Sequence, residues 1–172
     1  MPSPETGRNN GAEPLTAGSA RLYLSLGITA LIVLVADQVS KQIALSRLAD
    51  GPVDLIGGAL TLRLTYNSGG AFGVLQGWPG LFLIATGVVV AVILLSVRRL
   101  EDPRWALPLG MVLGGGLGNV SDRIFRDTNG QVVDFIDLHW WPVFNVADAS
   151  IVVGVGVILV LSARTRARAE VG

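Results

Sequence analysis

Two four-residue phrases hold the side chains best suited to chemistry: Asn119-Val120-Ser121-Asp122 and Asn145-Val146-Ala147-Asp148. Each places an amide three residues ahead of a carboxylate, so on a helix the two side chains share a face. The first copy ends an apolar run that begins at Trp105, and the second opens a run that reaches Leu161. Consecutive membrane helices with a short connection bring those ends to one bilayer face. Ionisable residues there are costly and usually functional. Asp122 and Asp148 are therefore expected to form a catalytic pair. One carboxylate, ionised, would take a proton from water, while the other, protonated, would polarise a scissile carbonyl. A plainer role for Asp122, an ion pair with the adjacent Arg123, stays open.

Rival chemistries have little to work with. There are no cysteines and one histidine, His139. That excludes thiolate catalysis, disulfides and a Cys or His-rich metal site, and leaves any Ser-His-Asp triad resting on one residue beside Trp140. Ser40 and Lys41 are adjacent and would point apart on a helix, against a Ser/Lys nucleophile. No metal and no cofactor is expected.

These residues must be held by membrane helices. The chain is 172 residues long, 51% hydrophobic and 15% charged, with a mean hydropathy of +0.57, a composition of integral membrane proteins. Zero formal net charge gives no sign of a nucleic-acid partner. Four apolar runs predict helices over 22–45, 79–97, 105–121 and 142–163; the third would extend about 25 Å, enough to cross most of the hydrocarbon core. The first run reads as a retained helix, because Glu5 and Glu13 precede it and no Ala-x-Ala site follows it. Residues 1–20, rich in Pro, Gly, Asn and Ser, read as a disordered tail, 21–164 as one membrane domain, and 165–172 as a basic tail.

Basic residues set the orientation. Arg98, Arg99 and Arg104 fill the second connection, Arg164, Arg166 and Arg168 follow the fourth run, and Arg8 and Arg21 precede the first. Both termini are thus expected in the cytoplasm, with the acid-bearing first and third connections, and Asp122 and Asp148, at the outer face. Trp78, Trp105, Trp140 and Trp141 fall at run edges, as an interfacial belt requires. In the first outer connection, 60–66 alternates apolar and polar between Gly57-Gly58 and Asn67-Ser68-Gly69-Gly70, which predicts a strand; 132–138 is a weaker candidate for a strand or short helix. Gly110, Gly114 and Gly118, four apart, form a small-residue stripe on which another helix can pack closely.

Four patterns now stand in order: Asp37-Gln38-x-x-Lys41, Asn67-x-Gly69-x-Ala71-Phe72, Gly115-Gly116-Leu117-Gly118-Asn119-x-x-Asp122-Arg123 and Phe144-Asn145-x-Ala147-Asp148. With four membrane runs, this closely resembles the lipoprotein signal peptidase (signal peptidase II) family from about residue 22 to 163. The resemblance implies a four-helix transmembrane bundle with a small extracytoplasmic β-sheet, or cradle, between helices 1 and 2, in the bacterial cytoplasmic membrane. It implies an aspartic endopeptidase that cuts diacylglyceryl-modified prolipoproteins just before the modified cysteine. The implied catalytic residues are Asp122 and Asp148. Asn119, Arg123 and Asn145 would orient the pair or the substrate, while Asp37, Lys41, Asn67, Gly69 and Phe72 would shape the first-helix end and an outer lid. Prolipoproteins and membrane lipids would be its partners, and the chain would act as a monomer.

Asp37 and Lys41 also have a structural reading, since acid four residues before base is the favourable order for an intrahelical ion pair. A small transporter would use membrane carboxylates as well, but the acidic pair lies at one face and no inverted helix repeat accompanies it. A passive scaffold leaves both carboxylates unexplained.

Overall fold

The four apolar runs become four long helices: α1 (Ala17–Arg47), α2 (Pro79–Val97), α3 (Ala106–Phe125) and α4 (Val146–Val171). The computed structural model describes residues 17–69, 79–97, 100 and 102–171. Two of the helices, over Ala20–Arg47 and Val146–Ala169, are long and apolar enough to cross a membrane, with hydropathies of 1.9 and 2.3. Only 11% of the apolar window of the second is buried, so its outward Val152, Val153, Leu159 and Val160 are unlike the core helix of a soluble protein.

Helix ends differ from the sequence expectation for local reasons. A 3-10 turn, Pro103–Trp105, precedes α3; Asp102 caps it by accepting the Arg104 N–H at 3.0 Å. At its other end α3 continues past Ser121, because Asp122 and Arg126 pair across one turn at 2.9 Å. The start of α4 moves from 142 to Val146, since Phe144 is drawn into a β-bridge with Ile136. Asn145 and Asp148 then form a reciprocal cap: the Asp148 N–H donates to Asn145 Oδ1 at 2.9 Å, and the Asn145 N–H to Asp148 Oδ2 at 3.3 Å. The repeated phrase is, in its second copy, a helix start signal. The basic segment expected as a tail from 165 continues α4 through Val171.

α3 is the central helix, packed against α1, α4 and α2. Its glycines permit this. A Cβ on Gly114 would collide with the backbone of Ala30, and one on Gly118 would lie 2.6 Å from Asp37 Oδ2. The stripe at 110, 114 and 118 therefore seats α1, while Gly115 seats α4 against Ala147 and Ile151. Leu22, Leu26, Ile93, Val97, Ala106, Leu109 and Val112 form one buried cluster.

At the opposite end lies an antiparallel sheet of β1 (Val53–Ile56), β2 (Leu60–Asn67) and β3 (Val132–Asp137), in that order. Only β1 and β2 come from the α1–α2 connection, as expected; β3 comes from the α3–α4 connection and pairs Asn67 with Val132 and Thr61 with Asp137. Ala44, Leu48 and Phe135, joined by Leu62, Leu64, Ile136 and Val146, clamp the sheet onto the ends of α1 and α4. That clamp brings β3 beside the start of α4.

Candidate active site

Two carboxylates face one cavity of about 300 Å³ between the sheet and the helices. They are Asp148, in the first turn of α4, and Asp134, in the middle of β3; Asn67, Gly69, Asn119 and Arg123 share the lining with Trp141, Phe144, Ile151 and Val152. Asp134 stands in Val132-Val133-Asp134-Phe135, a strand whose neighbours are all buried, and is itself 1% exposed. A charge in such surroundings is expensive. Burial, and then the negative charge of Asp148, push its carboxyl up to about 7, against the pull of hydrogen bonds from Asn67 and Asn145. Asp137, three residues on, goes the other way: the hydrogen bond from Arg63 holds it below the usual carboxylate range.

Amides hold the two carboxylates in similar fashion. Asp134 accepts from Asn67 Nδ2 at 3.0 Å and from Asn145 Nδ2 at 2.7 Å. Asp148 accepts from Asn119 Nδ2 at 2.7 Å and from the Asn145 N–H at 3.3 Å. Asn145, fully buried, thus ties both together. The Oδ1 of Asn119 in turn accepts from Lys41 Nζ at 3.1 Å, which leaves its Nδ2 to face Asp148. Arg123 donates to the carbonyls of Asn119 and Gly69, both at 3.3 Å, and lines the same cavity as Asp134 and Asp148. It therefore fixes the end of β2 over the cavity while offsetting negative charge there.

The expected pairing of Asp122 with Asp148 does not match this arrangement. Asp122 is fully buried and does not line the cavity. Its Oδ2 meets Lys41 Nζ at 2.9 Å and accepts the Val133 N–H at 3.1 Å, while its Oδ1 accepts from Arg126 Nε at 2.9 Å and Gln38 Nε2 at 3.1 Å. The physical reason is helix phase. Asn119 and Arg123, four apart, look toward the cavity; Asp122 and Arg126, also four apart, look toward α1. The ion-pair alternative holds in kind, with Lys41 and Arg126 as partners in place of Arg123. With both carboxylate oxygens committed, Asp122 ties β3 to α1 and α3.

The other expected residues are placed as follows. Asn67, Gly69, Asn119 and Arg123 reach the cavity, and Asn145 lies behind its two carboxylates. Asp37 and Lys41, fully buried, pair at 2.8 Å as their spacing predicts. Asp37 Oδ1 also accepts the Ala147 N–H at 2.9 Å, capping α4 from another helix. Phe72, with Trp78, lies outside the described residues. Asp134 is the cavity carboxylate that was not expected from the sequence. Its signal was there, an aspartate inside the apolar run Val132–Ile136, where a carboxylate has to be held by partners.

Two carboxylates share one cavity at the end of apolar helices, an arrangement compatible with a membrane enzyme. The signal peptidase (SPase) II family model matches residues 29–164. The lipoprotein signal peptidase of Mycobacterium tuberculosis (strain ATCC 25618 / H37Rv) is 45% identical, over 94% of this chain and 87% of that protein. Its counterpart from Mycobacterium avium (strain 104) is 46% identical, over 94% and 89%. Among solved structures, a bacterial membrane enzyme determined by the in meso method superposes with a TM-score of 0.76 at 27% identity, covering 85% of this chain and 91% of that one. A second, of the same description, gives 0.70 at 28% identity, covering 81% and 92%. The chain belongs to the signal peptidase II family, and it is a peptidase.

Proposed function

We propose that this chain removes the signal peptide from diacylglyceryl-modified prolipoproteins, cutting before the modified cysteine by aspartic catalysis at Asp134 and Asp148. The observation that carries the reading is the amide-tied pair of carboxylates in one cavity, with Asp134 raised to about 7. Near neutral pH such a pair holds a single proton between its members. The ionised member takes a proton from a water molecule as that water attacks the scissile carbonyl carbon. The protonated member gives its proton to the carbonyl oxygen, yielding a neutral tetrahedral diol. Collapse of the diol returns a proton to the leaving nitrogen, and the C–N bond breaks. No acyl-enzyme forms.

The rest of the site supports those steps. Asn67, Asn119 and Asn145 keep both carboxylates in place. Lys41 acts through Asn119, and Asp37 through the α4 start, as positioning residues. All four helices cross the bilayer in this reading, with both termini cytoplasmic. Arg104, Arg164 and Arg168 line one recess at the end away from the sheet, which supports an outer-face active site. The test is purified protein incubated with one prolipoprotein in lipid-modified and unmodified forms. Selective release of the signal peptide from the modified form is expected; equal cleavage of both would remove the lipid from the recognition, and cleavage of neither would refute the assignment.

A further inference from the structure

About 30 Å of helix separates Asp148 from Arg168, so the far end of α4 lies at the opposite membrane face. There a second, smaller recess of about 50 Å³ is lined by Arg164, Thr165 and Arg168 of α4, with Asp102, Arg104 and Trp105 opposite. Arg164 and Arg168 are four residues apart and share one helix face. Both are exposed, and neither has an acidic partner among the described residues. Arg104 is oriented by Asp102, which accepts from its Nε at 2.8 Å. Trp105 packs its ring against the buried cluster of α1, α2 and α3, fixing this wall of the recess at the depth where indoles favour the interface.

We propose that this recess binds the phosphate of an anionic phospholipid headgroup. Three guanidinium groups against one carboxylate leave a net charge of two, suited to a phosphodiester, which Arg can meet with paired N–H donors. The volume admits a phosphate group and little more, while Trp105 and Leu161 offer apolar contact where glycerol and acyl chains would begin. A general preference of basic residues for the cytoplasmic face accounts for charge on this side. It does not account for two guanidinium groups at one spacing facing a third across a concave wall. Arg166 makes the distinction testable, since it is equally basic, exposed and close in sequence but does not line the recess.

The test is native mass spectrometry of the intact protein in detergent micelles doped with dioleoyl phosphatidylglycerol, dioleoyl phosphatidylcholine or inorganic phosphate. Retention of phosphatidylglycerol over phosphatidylcholine is expected. The double variant Arg164→Gln/Arg168→Gln should lose about 30-fold of that preference, equivalent to ~1 kcal/mol per guanidinium, while Arg166→Gln keeps it. Thermal melts of each variant in lipid-free detergent should match the parent, separating lipid loss from misfolding. An equal loss in Arg166→Gln would reduce the effect to diffuse attraction and overturn the site. No preference in the parent would overturn it as well, and retention of inorganic phosphate in place of lipid would overturn the lipid assignment. None of these outcomes depends on the peptidase reading.

Discussion

Replacing Asp134 with Asn should make the folded protein more stable at alkaline pH while abolishing its activity. The folded carboxyl sits at about 7 against an ordinary value of 3.8, a difference of about three units, or ~4 kcal/mol at 1.36 kcal/mol per unit. Because the folded state binds the proton more tightly than the unfolded chain, stability is fully present below about pH 4. It is lost as pH rises toward about 7, and stays lost above it. Asn carries no ionisable proton, so its variant escapes that loss. It gives up one of the two accepted bonds, from Asn67 or Asn145, because an amide nitrogen would face an amide nitrogen there, at a cost of ~1–2 kcal/mol. The balance leaves Asp134→Asn roughly 2 kcal/mol more stable than the parent at pH 8 and less stable at pH 4, with the two curves crossing near pH 5. Denaturant or thermal unfolding in detergent at several pH values reads this difference, since titrating groups not coupled to Asp134 cancel between the two proteins. A stability gap that stayed constant from pH 4 to pH 8 would refute the raised carboxyl and the burial argument behind it.

Asp122→Asn should instead destabilise at all pH values where Lys41 is charged, by ~3 kcal/mol, because a buried ammonium loses one of its two carboxylates; folded yield after membrane extraction measures this. Gly118→Ala should cost ~1–3 kcal/mol, since its Cβ would press on Asp37 Oδ2, whereas Gly27→Ala, with open space around it, should be neutral in the same unfolding assay. Cysteine labelling from outside intact cells should reach Asp54→Cys but not Arg166→Cys, and labelling of the latter would reverse the topology.

Much of this architecture was legible in the residues. The helices announce themselves as apolar runs, and the glycine stripe at 110, 114 and 118 meets α1 as its spacing implies. The Asp37–Lys41 pair forms at the expected separation. Two things were not legible. One is strand partnership: β3 joins the sheet from a connection 65 residues after Asn67, and alternation along one strand says nothing about which segment lies beside it. The other is helix phase at Asp122. A repeated Asn-x-x-Asp phrase suggests equal roles, but in the second copy the spacing closes a helix cap beside the cavity. In the first copy only Asn119 faces the cavity, because Asp122 is drawn toward Lys41 on α1. The site pairs a helix carboxylate with a strand carboxylate, a juxtaposition created by tertiary packing alone.

Turnover per folded molecule on a lipid-modified prolipoprotein, compared across Asp134→Asn, Asp148→Asn and Asp122→Asn, tests the catalytic pair most directly. Asp134→Asn and Asp148→Asn should each fall by about a thousand-fold or more, with the double variant scarcely worse than either. Asp122→Asn should keep most of its turnover once corrected for folded protein. The opposite pattern, with Asp134→Asn active and well-folded Asp122→Asn inactive, would contradict the assignment and return the proton to Asp122.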